Sequence, residues 1–279
     1  MERQYPPPLL LPGPPASTMT ALPRAQTRLH VAADLAAGAA VALDEGQAHL
    51  LRSVLRLAQG DHVALFNGRD GEWRARLAGR KRPDRAEIVA QTRPQDRLPD
   101  LHYVFAPLKH ARLDYMAQKA VEMGAAALQP VTTRFTQASR VNVGRMRANV
   151  VEAAEQCGIL SLAAVRDPLP LERWLGGRDG RRLLVFCDEA APVADPAAAL
   201  AACAATPAGI DVLIGPEGGF AAEEREILLK QPRTVRLALG PRILRADTAA
   251  VAALALVQAA LGDWGEPPHA KVAEGGASH

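Results

Sequence analysis

Apolar and polar positions alternate in two rhythms along this chain. Between residues 47 and 57, Leu50, Leu51, Val54, Leu55 and Leu57 recur at helical spacing and predict one amphipathic helix. Short strand-like pieces follow at 62–66, 73–77 and 87–91, joined by turn material at 67–71 and 79–85. Closely spaced short strands with a single helix predict a small β-barrel-like domain. A polar stretch holding Pro94 and Pro99, residues 93–99, reads as a linker. Beyond it the rhythm lengthens. Strands are expected at 101–106, 126–131, 183–187, 211–214 and 235–239, and helices at 113–123, 143–157, 196–205, 221–230 and 246–261. That alternation predicts an α/β domain on a parallel sheet with both faces covered.

The flanks differ from both. Pro6, Pro7, Pro8, Pro12, Pro14, Pro15 and Pro23 rule out a helix, so residues 1–23 are expected to be a disordered tail, with Met19 as an alternative start. The expected organisation is this tail, a small domain over 24–95, an α/β domain over 100–264 and a loose polar tail over 265–279. With 279 residues, 48% hydrophobic and 23% charged, a largely disordered chain is excluded. Cys157, Cys187 and Cys203 are too few and too scattered for a disulfide scaffold or a zinc site, and are expected to be small core residues. His30, His62, His102 and His110 show no metal-ligand spacing, so no metal is expected. No apolar run of about 18 residues occurs and no secretory signal opens the chain, so a cytoplasmic protein without membrane contact is expected.

Charge matters only once it is read locally. Lys+Arg 33 against Asp+Glu 30 gives a formal +3, which excludes a generic polycation. Between Arg69 and Arg97, however, nine basic residues meet five acidic ones, and between Tyr103 and Arg147 seven meet only Asp114 and Glu122. Two basic stretches flanking one linker suit either a solvated face or a polyanion track.

Two strand-to-helix turns carry the chemistry. The first runs Ile214-Gly215-Pro216-Glu217-Gly218-Gly219-Phe220, ahead of a helix that starts with Glu223 and Glu224. Glycine-rich turns of this kind cradle phosphates with backbone N–H groups, but a central carboxylate repels phosphate, and neither a Walker lysine nor G-x-G-x-x-G follows. Glu217 is therefore either a functional carboxylate or a helix cap. The second turn runs Leu239-Gly240-Pro241-Arg242-Ile243-Leu244-Arg245-Ala246-Asp247-Thr248, with Asp247 or Thr248 as the expected N-cap of the next helix. Two such turns in one parallel sheet place their loops on the same carboxyl edge, where ligands bind. Ile243 and Leu244 suit a flat aromatic ligand.

IGPEGGF followed by LALGPRILRADTA resembles the two signature motifs of the RsmE-type small-subunit rRNA uridine-N3 methyltransferases of the SPOUT superfamily. Further matches run in order: His49–Leu57 with Gly60-Asp61, Gln118–Gly124, and Glu152–Gly158. Together they span about residues 27–264. Two positions depart from the pattern: Asp247 stands where the family has glutamate, and Ile159 where it commonly has arginine.

The resemblance implies a PUA-like RNA-binding domain, an α/β domain with a C-terminal trefoil knot, S-adenosylmethionine as methyl donor, and a homodimer acting on 16S rRNA within the small ribosomal subunit. It implies a cofactor site at Ile214, Gly215, Pro216, Gly218, Leu239, Gly240, Ile243, Leu244 and Thr248. Uridine N3 carries a proton and lies on the Watson–Crick edge, so the base must be unpaired and deprotonated or polarised. Arg245 is expected to stabilise the developing uracil anion and Glu217 to assist, as proton acceptor or loop organiser. Arg52, Arg112, Lys119, Arg134 and Arg140 are the RNA-contact candidates. The alternatives are a ribose 2′-O methyltransferase of the same superfamily and a non-catalytic RNA-binding assembly factor.

Overall fold

The computed structural model describes residues 27–80, 82–109, 111–138, 140–192, 195–203 and 208–266. The expected disordered tail over 1–23, and the loose tail apart from Gly265 and Glu266, lie outside them.

The first domain is a five-stranded sheet of β1 (Arg28–His30), β2 (Ala40–Ala42), β3 (His62–Phe66), β4 (Glu72–Ala78) and β5 (Arg85–Arg93), in the order β1-β3-β4-β5-β2. Only β1 and β3 run parallel. Leu29, Val41, Leu51, Val63, Leu65, Ala75, Leu77 and Ile88 fill its core. The predicted helix over 47–57 is shorter and starts earlier. A capping box, in which Asp44 accepts from the Gln47 N–H while the Gln47 side chain accepts from the Asp44 N–H, starts α1 (Glu45–His49). A π-helical turn (Leu50–Val54) and the left-handed Arg56 (φ 56°) then break the stripe, so Leu51 is buried but Val54 is exposed.

The second domain holds β6 (Leu101–Phe105), α2 (Ala111–Glu122), β7 (Ala127–Thr132), α3 (Val143–Cys157), β8 (Ala164–Val165), β9 (Leu169–Pro170), α4 (Leu171–Gly176), β10 (Leu183–Cys187), α5 (Pro196–Ala201), β11 (Ile210–Ile214), α6 (Ala222–Leu229), β12 (Thr234–Leu237) and α7 (Ala246–Leu261). Its strands are all parallel, in the order β12-β10-β11-β6-β7-β8, with β9 also beside β7. One face packs on α2, α3, α5 and α7 through Met116, Val121, Met146, Leu200, Leu254 and Val257. The other packs on α4 and α6 through Trp174, Leu175 and Leu228. Short β8, β9 and α4 escape the periodic reading because each is too brief to show a period.

The predicted linker is pinned down. Asp96 accepts from the Leu160 and Ser161 N–H groups at 2.8 and 2.7 Å, Gln95 donates to the Ser161 hydroxyl, and Arg93 donates to the Gly158 carbonyl. Phe66 packs on Ala154 and Leu160, with Ile159 against the same cluster. Ile159 thus contributes apolar packing at the domain junction. Much of the basic excess over 69–97 is also spent within the protein: Arg69 pairs with Asp34, Arg76 and Arg85 with Glu87, and Arg93 with Glu72.

Candidate active site

The chain leaves β10 through α5 on one face of the sheet to form β11, then crosses through α6 on the opposite face to form β12 on the far side of β10. Connections departing to opposite faces leave a crevice at the carboxyl ends of the strands. Here it is a cleft of about 490 Å³ between three loops: 186–190 after β10, 214–220 after β11 and 237–246 after β12. Every residue nominated for the cofactor lines it except Thr248, which is exposed on the first turn of α7.

The first loop folds back on itself. Phe220 lies over Gly215 so closely that a Cβ there would meet its ring at 2.5 Å, and Phe220 packs edge-on against Phe186 with centroids 5.3 Å apart. Gly219 (φ 71°) and, in the second loop, Gly240 (φ 89°) adopt the left-handed backbone that glycine tolerates. Glu217 does not cap α6. That work falls to Glu224, which accepts from the Ala221 N–H at 2.9 Å and from the Arg134 N–H at 2.8 Å.

Residues at the start of α7 also differ from expectation. Arg245, not Asp247 or Thr248, occupies the N-cap position with an extended backbone, and Asp247 sits in the first turn, accepting from the Thr248 N–H. Arg245 is exposed, lies outside the cleft lining and has no ion pair among the described residues. Ile243, at the cleft mouth, is 94% exposed.

Asp188, at the end of β10, was not singled out from the sequence, because a lone aspartate after an apolar strand carries no pattern. It lines the cleft and is buried, held by Arg225 at 3.0 Å and Arg236 at 2.8 Å. Burial pushes its carboxyl up, but hydrogen bonds from Arg225, the Ala190 N–H and Arg236 outweigh this and hold it below the ordinary carboxylate range. It ties α6 and β12 to the cleft floor. Burial raises the nearby Cys187 thiol to about 12, so it is no nucleophile. Cys187 and Cys203 pack against the core, whereas Cys157 is exposed, contrary to expectation, at the C-terminal end of α3.

The RNA-contact candidates differ in their surroundings. Arg112, in the first turn of α2, donates to Glu217 at 2.5 Å and lies 3.9 Å from Asp247. It lines a second, smaller cleft with Pro107, Leu108, Lys109, Gln137 and Pro216, and Glu217 borders both clefts. Lys119 is paired with Glu122 at 2.7 Å and lies over the Tyr115 ring. Arg134 and Arg140 are exposed on the segment after β7, whose Phe135 packs near Gly218. Arg52 is exposed on the first domain's π-helical turn.

The main cleft fits S-adenosylmethionine. Its volume lies in the range of small-ligand sites. Leu237, Leu239, Ile243, Leu244 and Ala249 offer apolar walls to a flat base, glycines bring backbone to the edge, and the polar lining mixes Asp188, Glu189 and Glu217 with Arg225 and Arg242, which suits a ligand carrying both charges. Among the described residues no group of His, Cys, Asp and Glu could hold a metal ion, and no helix is long and apolar enough to cross a membrane.

Comparison with known proteins agrees with this layout. Residues 95–258 match the RNA methyltransferase domain family and residues 43–89 the RNA methyltransferase PUA domain family. The Ribosomal RNA small subunit methyltransferase E of Synechocystis is 32% identical over 84% of this chain and 78% of its own length. That of Rickettsia conorii is 28% identical over 83% and 94%. Among solved structures, the Neisseria gonorrhoeae Ribosomal RNA small subunit methyltransferase E bound to S-adenosylmethionine superposes with TM-score 0.73 at 27% identity, covering 86% of this chain and all of that one. A putative methyltransferase of Legionella pneumophila, also with bound S-adenosylmethionine, gives TM-score 0.73 at 25% identity, over 85% of this chain and 98% of its own.

Proposed function

This chain belongs to the RsmE-type RNA methyltransferase family, and from that premise we propose that it methylates N3 of a specific uridine in 16S rRNA, using S-adenosylmethionine. The observation that carries this reading is the meeting of the Gly215–Phe220 and Gly240–Leu244 loops in one cleft of a chain that also matches an RNA methyltransferase PUA domain over residues 43–89. The cofactor, when bound, supplies a methyl group on a sulfonium centre. The chain's residues do the rest. Backbone at Ile214, Gly215, Pro216, Gly218, Leu239 and Gly240, with the Ile243 and Leu244 side chains, holds the donor. Positioning of donor and acceptor supplies much of the rate. Glu217, on the border of the cleft, takes the N3 proton, and Arg245, exposed at the head of α7, stabilises charge at the uracil O2 or O4.

The finer architecture belongs to the same reading: residues 24–95 as a PUA-type barrel, residues 100–264 as a SPOUT domain whose C-terminal part is knotted, a homodimer, and a cytoplasmic enzyme working on the small subunit. Ile243, exposed on the cleft lining, and Arg245, exposed two residues on, support a site that a second subunit and RNA complete. Arg52, Arg134 and Arg140 are proposed to meet the RNA backbone.

The test is methylation of small subunits from a strain lacking the gene, followed by mass analysis of the nucleosides. N3-methyluridine is the expected product. A 2′-O-methylated nucleoside would replace this reading with ribose methylation, and absence of S-adenosylmethionine binding by calorimetry would leave an assembly factor.

A further inference from the structure

The smaller cleft beside the main one is lined by Pro107, Leu108, Lys109, Arg112, Gln137, Pro216 and Glu217, and holds about 90 Å³. That is room for roughly three waters, a size that suits a single phosphate group. Lys109 is exposed and has no ion pair among the described residues. Arg112 is committed to Glu217. We propose that this cleft is a subsite for one phosphate of the RNA strand, and that Arg112 exchanges Glu217 for that phosphate when RNA binds.

Three observations carry the exchange. First, the pair is easily broken. Arg112 and Glu217 are 41% and 43% exposed, and an ion pair in that setting shifts an equilibrium by about fivefold at most. A phosphodiester carries the same single charge, but its two non-bridging oxygens accept the arginine fork bidentately, against the one hydrogen bond that Arg112 makes to Glu217. Second, Arg112 has a fixed base. It rises from α2, which is packed through Leu113, Met116, Ala117, Ala120 and Val121. Third, Glu217 has somewhere to go, because it borders the main cleft as well as the small one. In the RNA-free protein its carboxylate is therefore held by the guanidinium. Arrival of RNA releases it on the side where the target base is proposed to sit, so that the carboxylate becomes available only when substrate is present. Asp247, 3.9 Å from Arg112, stays as a second carboxylate that keeps the guanidinium near after the exchange.

This inference rests on the methyltransferase reading for its consequence, but its binding arm can be measured separately. The probe is a short uridine-containing single-stranded RNA, titrated at several salt concentrations against wild type, Arg112→Ala, Arg112→Lys and Glu217→Gln. The expected results are opposite in sign. Arg112→Ala binds RNA more weakly, and its slope of log affinity against log salt falls by about 0.7, the loss of one phosphate contact. Arg112→Lys recovers most of the slope. Glu217→Gln removes the internal competitor and binds RNA up to about fivefold tighter, while methylation of small subunits collapses. A Glu217→Gln affinity equal to or below wild type, or an unchanged salt slope in Arg112→Ala, overturns the exchange. Should Arg112→Ala fail to fold, Arg112→Lys and Glu217→Gln still decide it. If wild type binds RNA as described yet methylates nothing, the functional reading fails and the subsite stands.

Discussion

The guanidinium of Arg112 donates to the carboxylate of Glu217 across 2.5 Å, fastening the first turn of α2 to the loop that ends β11. One arginine from outside both motif loops thus holds the carboxylate that borders the cleft. Because both partners are well exposed, the pair contributes little to folding. A double-mutant cycle on urea melts of Arg112→Ala and Glu217→Gln is expected to give a coupling below about 1 kcal/mol. Methylation by Glu217→Gln should nonetheless fall by about 100-fold or more, the scale of a lost general base. A large stability coupling with near-normal turnover would make the pair a structural clip.

Gly215 and Gly219 sit in the same loop for different reasons. Alanine at Gly215 places a methyl 2.5 Å from the Phe220 ring, which Phe186 blocks from retreating. Overpacking of this kind costs about 1–3 kcal/mol and displaces the cleft wall. S-adenosylmethionine affinity, read by calorimetry, should fall by about tenfold or more. At Gly219 a Cβ meets open space, and only the left-handed backbone penalises it. Gly219→Ala should lose about 1–2 kcal/mol of stability with a smaller loss of cofactor affinity. Equal affinity losses in the two variants would contradict this division.

Arg245 stands at the head of α7 without an ion pair among the described residues and outside the cleft lining. Arg245→Ala is accordingly expected to leave the melting temperature and the cofactor dissociation constant close to wild type. The methylation rate on small subunits should fall by about 100-fold, as when one preorganised donor to a developing anion is removed. Parallel loss of cofactor binding and turnover would move Arg245 into the cofactor site.

Asp188 and Asp211 give the fold an acid limit. In both, burial raises the carboxyl, but hydrogen bonds outweigh it, from Arg225 and Arg236 to Asp188 and from His102 and Arg182 to Asp211. A folded value below the ordinary 3.8 means that the stabilisation is complete above that value and is lost as pH falls through the folded one. Thermal melts should therefore be flat in this respect near neutrality and drop steeply below about pH 4. Asp188→Asn leaves two guanidinium groups short of a counter-charge and should cost about 1–3 kcal/mol at pH 7, with a shallower fall at acid pH. A variant as acid-sensitive as wild type would remove Asp188 from this account.

The long elements were legible because each supplies its own period. The helices over 143–157 and 246–261 and the strand over 183–187 appear with the predicted limits, the helices because stretches of that length are too long for a strand, the strand because its apolar run is too short for a helix of this sheet. The helix after residue 47 is shorter than its hydrophobic spacing predicts, because that spacing does not report the left-handed turn at Arg56. Cys157 is exposed because its surroundings are set by how α3 ends, at Gly158 in the left-handed region, and not by its neighbours in sequence.

Sequence alone determined the order of elements, the two Gly-Pro turns and, through their resemblance to known motifs, the family. These are local properties: a turn needs its glycine and a strand its apolar run wherever they lie in space. Tertiary structure alone decided who meets whom. Nothing in the linear chain marks Asp188 as the anchor of Arg225 and Arg236, or shows that Arg112, 105 positions from Glu217, would hold its carboxylate. Those contacts exist because β10 lies between β11 and β12 and β6 lies beside β11, which stacks their carboxyl ends on one edge. Charge pairs between residues so far apart obey no spacing rule; they follow from strand order, which only the folded sheet specifies.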